Sequence, residues 1–327
     1  MQAAELKAIA EGVRRAEKGA VARALNLVED RRAGSREAIG ALLAQLEPKA
    51  GGQRIGLTGP PGVGKSCLGA ALARALRARD RSVGLVAIDP TSLRSGGSLL
   101  GDRARMGFDP ADAGLFVRSL ATGGQPGGLS YAANASARVL GAAYDRVLIE
   151  TTGVGQTETD VADLADTVVL VIQPGSGDAL QFLKAGIMEI PDLLVVNKAD
   201  LGAIAERACA ELRSAIGLQR SIDAAEPTPL LSVSAADGRG IPALLDALEA
   251  HRRALEPKLR ARRREGDLAW ILSLFARRHG EFGLETLGGR AAIRGEASAL
   301  MDAGRSPMQA ATALAEAFLE RAGLSGR

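Results

Sequence analysis

An α/β fold with a mostly parallel central sheet and helical extensions at both ends is predicted by three observations. Short continuous runs of Val, Ile and Leu alternate with helix-like stretches from residue 51 to about residue 250. A glycine-rich loop, Gly59 to Gly64, stands between the first such run and the first such helix. Outside those bounds the apolar residues recur at helical spacing. Runs that are apolar throughout mark strands buried on both faces, which is the condition of a parallel sheet covered by helices.

Residues 1–50 read as helices. Leu6, Ile9, Ala10 and Val13 share one face, Val21, Ala24, Leu25 and Val28 another, and Ile39, Leu42, Leu43 and Leu46 a third. Gly19, Gly34 and Pro48 punctuate them, and a structural packing role is expected. In residues 51–250 strands are expected at Arg54–Thr58, Val83–Asp89, Phe116–Ser119, Arg146–Glu150, Thr167–Ile172, Asp192–Asn197 and Leu230–Ser234. Ligands of such sheets gather at the carboxyl ends of the strands. Residues 251–327 turn helical and basic. Arg252, Arg253, Arg260, Arg262, Arg263 and Arg264 form a charge run that reads as a solvated helix face. Leu268, Ile271, Leu272 and Phe275 make an apolar stripe. The last helix starts with Ser306 as N-cap and Pro307 at its first position; Leu314 and Phe318 share a face, and Gly323 can end it. Helices of this number and size cannot bury both faces alone. They are expected to cover themselves on the central domain, on a second copy or on a partner.

Composition narrows the class. The 327 residues carry a net charge of +3 and a pI of about 9.1, too mild a basicity to imply nucleic acid. The two cysteines, Cys67 and Cys209, make no disulfide framework, so a reducing, cytoplasmic setting is expected. Glu5, Lys7 and Glu11 stand where a signal peptide would have its apolar segment, and no run approaches membrane-spanning length. Neither a membrane nor a nucleic acid is expected as a partner.

The chemistry begins at Gly59-Pro60-Pro61-Gly62-Val63-Gly64-Lys65-Ser66, which fits G-x-x-x-x-G-K-[ST] at every fixed position. It lies between a strand and a helix, the context a phosphate-binding P-loop needs. The glycines let successive N–H groups point at one anion. Lys65 would neutralise the β- and γ-phosphates, and Ser66 would bind Mg²⁺. Cys67 follows on the same helix, at the edge of the nucleotide set, and is expected to be a small core residue. A nucleoside triphosphate is the ligand this loop predicts.

Its base is indicated at Asn197-Lys198-Ala199-Asp200, an N-K-x-D sequence at the end of a strand. The Asp200 carboxylate can accept from guanine N1–H and N2–H₂. Adenine would set a lone pair against that acceptor, a mismatch of roughly a few kcal/mol. Asn197 is expected at the base edge and the Lys198 stem along its face. Ser234-Ala235, after the last strand, resembles the loop that backs guanine in GTPases. Carboxylates for Mg²⁺ come from other strand ends: Asp89 after the second, Glu150 after the fourth, and Asp102 in the loop Gly96 to Met106. Glu150-Thr151-Thr152-Gly153 carries Glu where Ras-like proteins carry Asp in D-x-x-G. Gln156, on the loop beyond, is a candidate for positioning water. The expected catalytic set is therefore Lys65, Asp102, Glu150 and Gln156.

Three long strings, Asp89 to Met106, Glu150 to Glu158 and Gln173 to Asp178, together resemble the MeaB/ArgK G proteins. The resemblance runs from about residue 10 to beyond Trp270. These are GTPase chaperones of adenosylcobalamin-dependent acyl-CoA mutases, chiefly methylmalonyl-CoA mutase. They have also been called lysine/arginine/ornithine transport ATPases, which conflicts with the guanine-selecting Asp200. The resemblance implies a P-loop NTPase fold of the SIMIBI type, slow intrinsic GTP hydrolysis and a homodimer built by C-terminal helices. It implies mobile segments at Asp89–Met106, Gly153–Glu158 and Gln173–Ile187, the last holding the partner-sensing Asp178 and Lys184. A nickel-insertion GTPase is the alternative, sharing the Glu-bearing switch. Such proteins commonly carry His-rich or Cys-bearing tracts, whereas this chain has only His251 and His279, far apart in sequence. A signal-recognition GTPase would want a Met-rich domain, and only five Met occur.

Overall fold

The computed structural model describes residues 2–30, 32, 34–89, 108–121, 131–151, 157–175, 190–220 and 228–324. It divides into two compact units, Pro48–Pro257 and a second made of Met1–Glu47 with Lys258–Arg327.

The second unit is helical. It opens with α1 (Ala3–Arg14), α2 (Lys18–Val28) and α3 (Ser35–Leu43). The faces predicted from spacing are the buried ones: Leu6, Ile9 and Val13 on α1, Val21, Leu25 and Val28 on α2, Ile39 and Leu42 on α3.

Pro48–Pro257 holds the sheet. In chain order it contains β1 (Gln53–Thr58), α4 (Lys65–Arg77), β2 (Val83–Asp89), β3 (Leu115–Ala121), α5 (Tyr131–Ala143), β4 (Arg146–Glu150), α6 (Thr157–Leu164), β5 (Thr167–Ile172), β6 (Leu193–Val196), α7 (Ala203–Arg220), β7 (Leu230–Ser232) and α8 (Ile241–Leu255). Each predicted strand is found. The seven strands lie in the order β3-β2-β4-β1-β5-β6-β7, and every pairing is parallel. β4, β5 and β6 are buried along their whole length, as uninterrupted Val/Ile/Leu runs require. The path β1–α4–β2 skips a position that β4 fills, and the chain later continues on the other side of β1. That reversal makes β1 a topological switch point, where a crevice opens at the carboxyl ends. Register sets the level of that crevice: Leu57 pairs with Glu150 on one side and with Val169 on the other.

The C-terminal helices are α9 (Leu259–Thr286), α10 (Arg290–Asp302) and α11 (Pro307–Arg321). α9 is broken at Gly280, whose φ of 64° and ψ of −164° no helix accommodates. Ser306 caps α11 as predicted. Its hydroxyl accepts from the Gln309 N–H at 3.3 Å, and the Gln309 side chain accepts from the Ser306 N–H at 2.9 Å. Gly323, with φ 68°, follows its C-cap. The apolar stripe corrects one expectation. Leu268, Ile271, Phe275, Leu314 and Phe318 are already buried in the single chain, and Leu272 is half-buried. Phe275 meets Phe318 edge-on at 6.0 Å, so α9 and α11 cover each other. This stripe therefore supplies no argument for a second copy. The arginine run is also more than a solvated face, since Arg264 pairs with Asp302 at 2.8 Å.

Candidate nucleotide-binding site

The loop between β1 and α4 is shaped by three left-handed glycines, Gly59, Gly62 and Gly64, with φ of 138°, 80° and 90°. A Cβ on Gly59 would collide with the carbonyl oxygen of Val171 on the neighbouring strand, and one on Gly64 with the Asn197 amide. Only glycine brings this backbone so close to its neighbours. Val63 is fully buried beneath the loop. Lys65 opens α4 and is 6% exposed; its ammonium donates to Gly59 O at 2.7 Å and to Pro60 O at 2.8 Å. The loop thus wraps a cation at the amino end of a helix, the fixed half of an anion cradle.

The hydroxyl of Ser66 donates to Glu150 Oε1. Glu150 ends β4, next to β1, and is buried. Two strand–helix units thus deliver a hydroxyl and a carboxylate to one point, the oxygen-only donor set that Mg²⁺ takes. Beside them Thr151 donates from its backbone to Leu57 O at 3.1 Å, and its hydroxyl lies 3.3 Å from that of Thr58. Asp89 closes β2. Asp102 and Gln156 lie outside the described residues, as do Asp178 and Lys184. Cys67 corrects an expectation: it is exposed rather than core. The first turn of α4 turns its Lys65 side inward, which leaves position 67 on the outside.

The N-K-x-D segment also does more than its motif states. Asn197 is 2% exposed, and both ends of its amide are used within the protein. Its Nδ2 donates to Val63 O at 2.9 Å, and its Oδ1 accepts from the Ala235 N–H at 3.2 Å. Besides the base-edge role that the sequence predicts, it pins the phosphate loop to the loop after β7. Lys198, in the left-handed region at φ 62°, donates to Gly62 O at 3.0 Å and to Gln173 Oε1 at 2.6 Å. Its ammonium thus links the phosphate loop to the segment after β5. Gln173 was not foreseen in that role. Its position just past β5, beside β6, was the available signal, because Ile172 pairs with Val196. Asp200 is exposed, and its Oδ1 accepts from the hydroxyl of the buried Ser234 at 2.7 Å. Ser234 therefore orients the carboxylate as well as shaping its loop.

His251 lies 2.8 Å from Thr167 Oγ1 and 3.3 Å from Asp192, and the His279 ring packs at a tilt against Phe275 and Phe318. Among the described residues no group of three or more His, Cys, Asp or Glu side chains is placed to hold a metal ion, and no helix is long and apolar enough to cross a membrane.

Comparison with known proteins decides the family. The family described as Methylmalonyl Co-A mutase-associated GTPase MeaB matches residues 21–279. The chain belongs to the MeaB family. A probable GTPase of Mycobacterium tuberculosis is 41% identical over 272 residues, 81% of each chain. The mitochondrial methylmalonic aciduria type A homolog of Mus musculus is 36% identical, covering 80% of this chain and 67% of that protein. The crystal structure of a LAO/AO transport system kinase superposes with a TM-score of 0.67 at 26% identity, covering 97% of this chain and 98% of that one. This MeaB-family chain is accordingly a GTPase that binds guanine nucleotide on a P-loop fold. The described residues supply a glycine-shaped loop around Lys65, a hydroxyl–carboxylate pair at its helix and an exposed carboxylate at Asp200.

Proposed function

We propose that this GTPase is a nucleotide-dependent chaperone of an adenosylcobalamin-dependent acyl-CoA mutase, methylmalonyl-CoA mutase first among them, gating cofactor loading and protecting the enzyme. The observation that carries the reading is the match to a mutase-associated GTPase family over residues 21–279. The loop strings shared with that family leave the same end of the sheet as the phosphate loop.

In this reading the loop N–H groups and Lys65 hold the β- and γ-phosphates of GTP and stabilise the charge that builds on them as water displaces GDP. Ser66 and Glu150, with Asp89 and Asp102, would hold Mg²⁺, which when bound neutralises the phosphate oxygens. Asp200, oriented by Ser234, accepts from the guanine N1–H and 2-amino groups, and the Lys198 stem lies along the ring. Gln156 positions the attacking water. Asp178 and Lys184 sense the mutase, so that its binding and the state of the nucleotide are linked in both directions. A homodimer belongs to the same reading, on a surface other than the Leu268–Phe275 stripe.

Purified chain and cognate mutase, assayed together for phosphate release, test this. The mutase should raise the GTPase rate, and Lys184→Ala or Asp178→Ala should reduce that stimulation while sparing basal hydrolysis. Absence of stimulation, with mutase affinity equal in GTP and GDP, would leave a GTPase with a different partner.

A further inference from the structure

A second concavity lies in the sheet-bearing unit at the opposite pole of β1 and β4. It has a volume of about 410 Å³, within the range of small-molecule sites. Gln53 and Arg146, the paired first residues of β1 and β4, form part of its wall. β1 is six residues long, so this wall stands about 17 Å from the phosphate loop.

Its charges do not cancel. Four guanidiniums line it, those of Arg79, Arg81, Arg146 and Arg253, against two carboxylates, Asp246 and Glu249. Asp246 is taken by Arg79 at 2.7 Å. Glu249 is shared among Arg146 at 2.8 Å, Arg252 at 3.0 Å and Arg253 at 3.3 Å. Among the described residues Arg81 has no carboxylate and no hydrogen-bond acceptor for its guanidinium. Its like charge acts instead on Arg146, which shares the lining and whose side chain is 6% exposed. Burial pushes the Arg146 guanidinium down from its ordinary range, Glu249 pulls it back, and the like charges of Arg81 and Arg252 push it down again. Such a surplus beside a buried cation is costly unless an anion answers it. The rest of the lining is apolar, with Ile55, Leu76, Leu245 and Leu248.

We propose that this cavity binds a phosphate dianion, free or as the monoester of a small molecule whose body lies on the apolar wall. The excess of cations over carboxylates among the lining groups matches the charge of a phosphate monoester near neutral pH. Guanidinium forks match phosphate oxygens in pairs. This inference is independent of the mutase reading.

Calorimetry on the full chain tests it, with the nucleotide site first saturated by a non-hydrolysable GTP analogue so that the P-loop takes no phosphate. Failure of that first saturation would bear on the nucleotide site alone, and the phosphate titration is then run on Lys65→Ala, whose P-loop has lost its cation. Inorganic phosphate and glycerol 3-phosphate are titrated in low salt. Saturable binding is expected, weakened at least about tenfold by Arg81→Gln and less by Arg253→Gln, both exposed enough to leave the fold intact. Arg260→Gln, an exposed arginine elsewhere, should change nothing. Tighter binding of the ester assigns a phosphorylated small molecule, and equal binding assigns the free anion. No saturable binding of either probe, or an equal loss in Arg260→Gln, overturns the proposal.

Discussion

The two ends of the sheet use polar residues in opposite ways. At the amino end, outside the surplus at Arg81, they answer one another. Arg54 meets Asp166 at 3.3 Å, Lys49 meets Asp145 at 2.9 Å, and Arg146 meets Glu249 at 2.8 Å. Gln53 donates to Thr167 Oγ1 at 2.8 Å, and His251 bridges Thr167 Oγ1, 2.8 Å from its Nδ1, and Asp192, 3.3 Å from its Nε2. These links tie the starts of β1, β4 and β5 to α8. At the carboxyl end the polar groups hold backbone and one another in place around a crevice: Lys65 within its loop, Asn197 between two loops, Ser234 on an exposed Asp200. Apart from the cavity at Arg81, the amino end ties elements together and serves stability; the carboxyl end surrounds a crevice and serves the nucleotide. The comparison makes separable predictions, since damage at the first end should appear in unfolding and damage at the second in nucleotide chemistry.

The largest effect is expected from Glu249→Ala. It leaves the buried Arg146 without its carboxylate, at a cost of about 3–5 kcal/mol. Urea unfolding should show the loss, while GTP affinity of the folded fraction stays unchanged. A matching fall in affinity would break the division between the ends. The same carboxylate sets an acid limit. Hydrogen bonding from Arg252, with the charges of Arg252 and Arg146, holds Glu249 down at about 2 against the opposing effect of burial. Its folded value is therefore below its unfolded one, so its contribution is complete above about pH 5 and is lost as the pH falls toward 2. Asp145 behaves alike: burial raises it, but Ser82 and Lys49 together bring it to about 2. Acid unfolding of wild type should steepen in that window, and Glu249→Ala should flatten it.

At the other end Lys65→Ala should lower GTP turnover by about 10²–10³-fold, the scale of losing one charge-stabilising donor in a preorganised site. Single-turnover hydrolysis measures it, and the urea midpoint should move little by comparison. Asp200→Asn follows, at about 2–3 kcal/mol of GTP affinity by calorimetry, because a charge-assisted pair becomes a neutral one. Equal affinity, or a wild-type preference for ATP, would remove Asp200 from the base site.

How much of this was legible in the sequence differs between the ends too. The strands were legible because strands buried on both faces leave unbroken apolar runs. The phosphate loop and N-K-x-D were legible because their spacing is fixed by the ligand. Relations between distant segments were not. Nothing local in Asn197 shows that its amide is committed to Val63 and Ala235, nor in Lys198 that Gln173 receives it. The periodicity of Leu268, Ile271 and Phe275 announces a face to be covered, but α11 covers it some forty residues later, and periodicity carries no information about the cover. Cys67 reads as core because a small apolar residue near a helix start is compatible with either side; the inward turn of Lys65 decides for the outside.

The smallest prediction is the most discriminating for how the base end is built. Ser234 is fully buried, its hydroxyl donates to Asp200 at 2.7 Å, and its oxygen also lies 3.3 Å from the Asp237 N–H. Ser234→Ala removes this orienting bond but leaves the charge of Asp200 in place. GTP affinity should fall by about 1 kcal/mol, the net worth of one hydrogen bond, which is less than the Asp200→Asn loss. The two changes share one carboxylate, so the double variant should lose less than the sum of the single losses. Additive losses in that cycle would mean that Ser234 acts on the loop after β7 and not through Asp200. Preference for GTP over ITP, which lacks the 2-amino group, sharpens the test: a misaimed carboxylate should narrow the preference, whereas a merely loosened loop should weaken both nucleotides equally.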